Sequence, residues 1–364
     1  RSARTARAAR TSVARHVDVR WGILGAGRIA HAFAADIAAT PGNRVETIAA
    51  RDPARSARLR DRVGASRISP SYQALLTDPA VDVVYVATVN IRHREHALLA
   101  LDAGKNVVVE KPLAMTAAAA AEIADRAGRA GRFCMEGMWM RMHPLVRRAR
   151  ELVDGGAVGE VLGIRADLSS AHPYVPGDRL FDPAAGGGSL LDLGVYPAHF
   201  AWLFLGAPVG VAASLTFAPT GADDSAALQW SYPDGRFAQL YAGFRGPSAL
   251  GGIVSGTSGF IQLGPRINRP RRLTVQVGQD ATRTQTADSP GNGFGFEIAE
   301  VARCVRAGLT ESPLAPLGDS IGVLAALDRI RRVADPVMSD RPGDGNASAG
   351  ESRPGASLWP APRD

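Results

Sequence analysis

Residues 19–40, VRWGILGAGRIAHAFAADIAAT, join an apolar strand to an Ala-rich helix through a glycine turn, and this feature constrains the fold most. In the turn Gly25-x-Gly27-x-x-Ala30, Gly25 permits tight reversal, Gly27 lets the backbone approach a pyrophosphate, and Ala30 permits close helix packing. The helix N-terminus offers free N–H groups to a phosphate. The segment predicts dinucleotide binding, with a purely structural glycine turn as the alternative.

Strands and helices continue to alternate as far as residue 136. Further strands are indicated at 44–50, 81–88 and 107–110, and further helices at 53–64 and 93–104. Such repetition is typical of a parallel sheet with helices on both faces. We therefore predict an α/β fold whose residues 18–136 form a Rossmann dinucleotide-binding domain.

Residues 137–334 have a different pattern, in which strand-like runs follow one another with short turns. This pattern predicts a C-terminal α+β domain with a largely antiparallel open sheet. Two closing helices are indicated at 294–308 and 319–332.

The basic charge is concentrated in one terminal segment. The chain has 364 residues and a formal net charge of +7, and subtracting the five arginines of residues 1–17 leaves +2. A nearly neutral remainder argues against a nucleic-acid partner, and no apolar run approaches the ~20 residues of a membrane span. We expect a disordered basic tail at 1–17, a transit peptide being the alternative, and a second disordered tail at 335–364.

The two cysteines, Cys134 and Cys304, have no metal-binding or redox spacing. Their number predicts neither a metal site nor a disulfide framework. It favours a reducing compartment, and we predict a cytoplasmic protein.

Residues 107–116, VVVEKPLAMT, end an apolar strand in Glu110-Lys111-Pro112. Buried charges are costly unless they are paired or used. One interpretation is an ion-paired strand end. The other directs Lys111 into the cleft at the carboxyl end of a parallel strand, where open α/β sheets bind ligands.

The end of the second strand, IAARDPAR, bears on the choice of cofactor. An acid there would bond the ribose 2′-hydroxyl of NAD, whereas an arginine would accommodate the 2′-phosphate of NADP. Arg51 and Asp52 are both present, and Asp52 is equally explained as a turn residue before Pro53. The spacing leaves the two cofactors open.

Residues 186–200, GGGSLLDLGVYPAHF, indicate a helix that interrupts the sheet-rich half. Asp192, Tyr196 and His199 follow at i, i+4 and i+7, on one helical face, and form a plausible proton-transfer set. Each has a structural alternative: Ser189 with Asp192 is a capping box, Tyr196 a half-buried aromatic, and His199 an ordinary core or surface histidine.

The glycine turn, VEKPLAMT and GGGSLLDLGVYPAHF together resemble the Gfo/Idh/MocA oxidoreductases, over roughly residues 19–334. MEGMWMRMHP (135–144) and AARDPARSA resemble its dihydrodiol dehydrogenase and D-xylose dehydrogenase branch. The resemblance implies an NAD(P)-dependent oxidoreductase that moves a hydride between a CH–OH group of a sugar, polyol or dihydrodiol and the nicotinamide. It also implies a homodimer or higher homo-oligomer built through the open sheet.

The family's site residues carry over onto this sequence by motif. Lys111, Asp192 and Tyr196 match its catalytic positions, and the substrate pocket is expected at Trp139, Arg141 and His199. The cofactor is expected at Gly25, Gly27, Arg28, Ile29, Arg51, Thr88, Asn90, His93 and Glu110, although Glu110 is also explained as structural. A small residue, Ala50, followed by Arg51 is the NADP-leaning pattern, with NAD as the alternative.

These assignments give a hypothesis for Lys111. A positive charge within ~4–6 Å of a phenol favours its ionised form, so Lys111 would lower the pKa of Tyr196, with Asp192 fixing the lysine. Two departures stand out: His199 replaces a common Asp, and Leu168 replaces an aromatic of the dihydrodiol enzymes, which favours a sugar or polyol. The alternatives are a catalytically silent dinucleotide-binding regulator and an NAD-dependent glycoside hydrolase.

Overall fold

The computed structural model describes residues 18–334, so both predicted tails lie outside the described residues. The first half contains a sheet of six parallel strands in the order β3-β2-β1-β4-β5-β6. Its strands are β1 Val19–Leu24, β2 Asn43–Ala49, β3 Arg67–Ile68, β4 Val83–Val86, β5 Asn106–Glu110 and β6 Cys134–Gly137. The order reverses between β1 and β4, and ligands bind outside the carboxyl ends of strands at such a reversal.

The connecting helices begin and end where local chemistry permits. They are α1 Arg28–Ala39, α2 Pro53–Val63, α3 Tyr72–Leu76, α4 His93–Asp102 and α5 Ala117–Ala130. Thr116 caps α5 by accepting a hydrogen bond from the N–H of Ala119, and α5 ends at Gly131 in the left-handed region. These caps place the helices so that each returns the chain to the next parallel strand.

The second half contains an eight-stranded sheet in the order β14-β13-β12-β11-β7-β10-β9-β8. Its strands are β7 Val161–Ser169, β8 Gly210–Phe217, β9 Asp223–Ser231, β10 Phe237–Gly243, β11 Gly252–Gly256, β12 Gly259–Gly264, β13 Arg272–Val277 and β14 Arg283–Thr286. All described neighbours pair antiparallel except β7 with β10. The predicted fold class, a Rossmann domain followed by a largely antiparallel open sheet, is confirmed.

The helices of the second half cover only one face of this sheet. They are α6 Pro144–Asp154, α7 Ser189–Asp192, α8 Val195–Leu205, α9 Gly295–Arg306 and α10 Leu317–Ala334. Of these, α6, α7, α8 and α10 contact the sheet. On the strands Leu162 and Tyr241 are 48% and 37% exposed, so the opposite face presents apolar side chains to solvent.

Helix α9 completes the core of the first sheet although it follows the second sheet in the chain. Ile298 and Val301 pack into the cluster that contains Phe33 of α1, and Phe294 lies 5.4 Å from the Phe33 ring. Buried Asp36 of α1 accepts hydrogen bonds from the backbone N–H groups of Asn292 and Phe294. The division after residue 136 stays a prediction from the sequence.

Candidate active site

The glycine turn follows β1 and leads directly into α1. Gly25 has φ +106°, and a Cβ there would lie 2.5 Å from the carbonyl oxygen of Ala87, so only glycine fits. A Cβ on Gly27 would meet no atom within 4 Å, so its surroundings are open. Among the described side chains none caps the N-terminus of α1, where Arg28 is exposed and Ile29 partly exposed. This turn has the open N–H groups that a pyrophosphate requires.

After the end of β2, Arg51 and Asp52, the two candidates for contact with the cofactor's ribose, lie in different environments. Asp52 caps α2: its Oδ1 accepts a hydrogen bond of 2.9 Å from the N–H of Ala54, and Pro53 begins the helix. The turn explanation of Asp52 therefore accounts for its position. Arg51 is exposed beside it.

Three predicted cofactor residues follow β4. Buried His93 contacts two carbonyl oxygens, with Nδ1 2.7 Å from that of Pro112 and Nε2 3.3 Å from that of Thr88. Burial lowers the pKa of His93 to about 4, so its imidazole is neutral. Asn90 donates a hydrogen bond of 3.0 Å to the carbonyl of Gly186. These contacts join the end of β4 to the turn after β5 and to the glycines before α7.

Glu110 is buried at the end of β5. It accepts hydrogen bonds from the hydroxyl of Tyr85 and, at 3.1 Å, from the N–H of Lys111. Burial raises the pKa of Glu110 above its usual value. The contacts match the structural explanation of this residue better than its predicted contact with a cofactor.

Lys111, Asp192 and Tyr196 are brought together. Lys111 Nζ donates to the backbone carbonyl of Asp192 at 2.5 Å and lies 3.3 Å from Asp192 Oδ1. It is 5.3 Å from the centroid of the Tyr196 ring, and the Tyr196 hydroxyl accepts a 2.7 Å hydrogen bond from Trp139 Nε1. We call Lys111 with Asp192 the outer pair; their side chains are 13% and 15% exposed.

The predicted single helix over 189–200 is wrong in one respect. It is divided into α7 and α8 at Leu193 and Gly194, so Asp192 ends the first helix and Tyr196 lies in the second. The N–H of Tyr196 donates to Leu193 O at 3.1 Å. In a continuous helix the N–H of Tyr196 would donate to the carbonyl of Asp192. Because it does not, that carbonyl is free to accept a hydrogen bond from Lys111.

The capping box, which was the structural alternative for Asp192, does not form. Ser189 is the first residue of α7, its hydroxyl donates to Asp223 Oδ2 at 2.7 Å, and the N–H of Leu190 donates to the same oxygen. Gly188 precedes the helix with φ +124°, and a Cβ there would lie 2.3 Å from Asp223 Oδ1. Because Asp223 supplies the acceptor at the start of α7, Asp192 is left to pair with Lys111.

The pKa of Tyr196 is raised in this arrangement, and the role of Lys111 in favouring the ionised phenol stays a prediction. Burial raises the pKa of Tyr196 well above its usual value, and the charge of Glu110 raises it further. Burial alone would raise the pKa of Asp192 too, but Lys111 and Arg179 hold it below its usual value. The charge of Lys111 therefore favours the ionised form of Asp192, whereas the raised pKa of Tyr196 favours its protonated phenol.

His199 and Arg141, predicted substrate contacts, lie in other environments. His199 is 1% exposed, and its Nε2 is 3.0 Å from Oε2 of fully buried Glu136, with angles outside those of a hydrogen bond. We call Glu136 with His199 the inner pair. Arg141, 6% exposed, pairs with Asp319 of α10 at 2.6 Å.

The inner pair supports both sides of the site. Oε1 of Glu136 accepts a 3.0 Å hydrogen bond from the N–H of Leu113, two residues after Lys111, and His199 lies on α8 with Tyr196. Burial would raise the pKa of Glu136, but His199 lowers it. Sequence reasoning missed Glu136, although a charged residue in a buried strand is the same kind of signal that had singled out Lys111.

Glu297 of α9 is a second buried acid that sequence reasoning missed. Among the described residues neither of its carboxyl oxygens has a hydrogen-bond partner. Burial raises the pKa of Glu297 well above its usual value, helped by Glu110 and Glu136. The group is therefore a neutral acid next to the site. The sequence signal that could have identified Glu297 is an acidic residue on the apolar face of a predicted helix.

Residues 18–334 contain no group of three or more His, Cys, Asp or Glu side chains arranged to hold a metal ion. In the same range, no helix combines the length and the apolar character that crossing a membrane demands.

Family models match both halves of the chain. The model for the oxidoreductase family with an NAD-binding Rossmann fold matches residues 19–138, and the GFO/IDH/MocA C-terminal domain matches residues 146–262. The chain belongs to the GFO/IDH/MocA family of oxidoreductases. The predicted family and the prediction of an oxidoreductase with a nucleotide-binding Rossmann domain are confirmed.

Individual relatives fall in the predicted branch. The chain is 31% identical to trans-1,2-dihydrobenzene-1,2-diol dehydrogenase of Mus musculus over 86% of its own length and 96% of that protein. It is 32% identical to D-xylose 1-dehydrogenase (NADP(+)) of Hypocrea jecorina, covering 86% and 91%. Aldose-aldose oxidoreductase from Caulobacter crescentus, solved with glycerol, aligns with a TM-score of 0.79 and 27% identity, covering 87% and 97%.

Proposed function

We propose that the protein is an NADP-dependent dehydrogenase that transfers a hydride between a CH–OH group of a sugar, polyol or dihydrodiol and the nicotinamide. The observation that carries the proposal is the grouping of Lys111, Asp192 and Tyr196 beside the carboxyl end of β5. Open α/β sheets bind their ligands outside the carboxyl ends of their strands. Two relatives in the same branch are dehydrogenases of a dihydrodiol and of D-xylose.

In this proposal Tyr196 carries the proton. Its oxygen accepts a hydrogen bond from Trp139, which leaves the hydroxyl hydrogen free for a substrate oxygen. During reduction Tyr196 gives its hydroxyl proton to the substrate oxygen as the hydride reaches carbon. During oxidation Tyr196 first releases its own proton to solvent, and the phenolate then takes the proton of the substrate hydroxyl as the hydride leaves carbon. Its raised pKa suits the reductive direction, in which a protonated phenol is needed.

Lys111 and Asp192 position the substrate hydroxyl in this proposal. The Lys111 ammonium is fixed by the carbonyl of Asp192 and retains a third donor for a substrate oxygen. When bound, the nicotinamide supplies the hydride acceptor. NADP is favoured because Asp52 is occupied as a helix cap, whereas Arg51 is exposed beside the glycine turn; NAD remains the alternative.

Arg51 gives the test of the cofactor assignment. We expect Arg51→Ala to weaken NADPH binding about 10- to 100-fold, because hydrogen bonds to charged groups contribute roughly 1.5–3 kcal/mol, and to leave NADH binding unchanged. Fluorescence titration of both cofactors measures this, with Arg148→Ala of α6 as the control arginine. Equal weakening of NADPH and NADH binding would contradict the proposed contact between Arg51 and the 2′-phosphate. Binding of neither by the unaltered chain would remove the dehydrogenase proposal.

We further infer that the chain forms a homo-oligomer through the open face of the second sheet. A shallow depression of about 550 Å³ lies on that face, and the exposed residues that line it include Ala212, Ala227 and Tyr241. Two sheets that pack face to face bury such side chains. Light scattering tests this, and a monomer at all concentrations would overturn it.

The buried free thiols of Cys134 and Cys304 support the proposal of a cytoplasmic protein.

A further inference from the structure

A cavity of about 270 Å³ lies at the end of the second sheet where β7 and β10 finish. Its lining includes Phe181 and Phe244, which are 3% and 1% exposed, and Tyr174, which is 39% exposed. The rings meet edge to face, with centroids 5.3 Å apart for Tyr174 and Phe181 and 5.4 Å for Phe181 and Phe244. The cavity therefore has a fixed aromatic floor and an exposed aromatic wall.

This cavity adjoins the outer pair on the Asp192 side. Phe181 shares a short helical turn with Arg179, whose Nη1 is 3.8 Å from Asp192 Oδ1. Leu193, which follows Asp192 in the chain, packs against the cluster that contains Phe181 and Phe244. A ligand that reaches beyond the reacting carbon in this direction enters this cavity, where Tyr174 is the exposed aromatic ring.

The polar groups of the cavity favour a neutral ligand. Arg245 and Asp224 lie across from the aromatic rings and are paired by contacts of 3.1 Å, so their charges compensate each other. They still offer donors and acceptors to hydroxyl groups, as does His172. Because Asp224 compensates the charge of Arg245, this arginine does not favour an anionic ligand. Apolar walls with few polar groups are typical of small-molecule sites, and the volume lies just below their roughly 300–1,000 Å³.

We propose that this cavity is a second carbohydrate subsite, which binds a neutral sugar ring linked to the ring that is oxidised beside Tyr196. The inference rests on the proposed function and narrows its substrate class to disaccharides and related two-ring sugars. The exposed Tyr174 ring, which the buried Phe181 and Phe244 rings support from below, contacts the C–H face of the second ring, and Arg245, Asp224 and His172 bond its hydroxyls. The volume limits the subsite to a single ring.

Binding to the NADPH-loaded chain tests the subsite without turnover, because reduced cofactor cannot accept a hydride from an alcohol. Xylobiose, cellobiose and maltose are titrated by calorimetry against D-xylose and D-glucose. We expect at least one disaccharide to bind about tenfold more tightly than its monosaccharide, from aromatic contacts of roughly 1.5 kcal/mol. Tyr174→Ala should abolish that difference and leave monosaccharide binding unchanged. Tyr174→Phe, which keeps the ring, should preserve it.

The remaining outcomes distinguish failure of the subsite from failure of the proposed dehydrogenase function. If monosaccharides are oxidised but disaccharides gain nothing, or Tyr174→Ala weakens both alike, the subsite is overturned and the dehydrogenase stands. If disaccharides bind through Tyr174 but no sugar is oxidised with NADP⁺ or NAD⁺, the subsite stands and sugar oxidation is overturned. If no sugar binds or reacts, both are overturned.

Discussion

The outer and inner pairs connect the same two parts of the molecule at different depths. Lys111 with Asp192 joins the turn after β5 to the end of α7, and both side chains remain partly exposed. Glu136 with His199 joins that turn, through Leu113, to α8, and both side chains are buried. The difference teaches that only the outer pair is open to solvent, whereas the inner pair connects the turn after β5 to α8 within the core.

The largest effect is expected from Glu136→Ala, which breaks the inner pair. Removal of Glu136 leaves the N–H of Leu113 buried without its acceptor and His199 buried without its partner, and breaking a buried pair in this way destabilises by about 3–5 kcal/mol. Urea denaturation measures the free energy of unfolding. The control is Glu151→Ala, which breaks an exposed pair with Arg148 and should cost under ~1 kcal/mol. Similar losses in both variants would contradict the role of the inner pair.

Tyr196→Phe tests the outer side of the comparison, because it removes the proton carrier while keeping the ring. We expect kcat to fall about 10²- to 10⁴-fold and the free energy of unfolding to fall by only ~0.5–1.5 kcal/mol, for the lost bond from Trp139. Steady-state kinetics and urea denaturation of the same preparation measure the two effects. A variant with the kcat of the wild type would exclude Tyr196 as the proton carrier.

Glu297→Gln shows what pairing does for a buried acid, because Glu297 resembles Glu136 in burial but has a raised pKa. The folded chain binds the proton of Glu297 more tightly than the unfolded chain. The free energy of unfolding therefore falls as pH rises from the unfolded pKa near ~4.3 through the raised folded pKa. The variant lacks this slope, so its stability relative to wild type should increase with pH across that window. Urea denaturation from pH 4 to 8 measures it; parallel curves would contradict the buried neutral acid.

Asp192→Asn is expected to have the smallest effect. The variant removes the charge of the outer pair but keeps the backbone carbonyl that Lys111 contacts at 2.5 Å. We expect kcat to fall about tenfold, equivalent to ~1.4 kcal/mol. A kcat as low as that of Tyr196→Phe would show that the side chain, and not the carbonyl, fixes the lysine.

The sequence predicted those parts of the molecule whose signals are local. The glycine turn, the valine strand before Lys111 and the alternation of strands and helices each follow from residues close together in the chain. The division between α7 and α8 escaped prediction because apolar spacing continues through Leu193 and Gly194. The cap of α7 escaped because Asp223 lies 34 residues from Ser189. The inner pair joins positions far apart in sequence, and such contacts depend on tertiary packing.

The division between α7 and α8 also determines which substitutions the site can tolerate. Every residue type at position 192 has a carbonyl, so exchange of that side chain alone leaves Lys111 with an anchor. At Gly194 a Cβ would lie 2.6 Å from Leu190 O, so a larger residue there must move the backbone that presents this carbonyl. The mutational tolerance of the lysine's position is therefore set by a glycine that contributes no functional group to the chemistry.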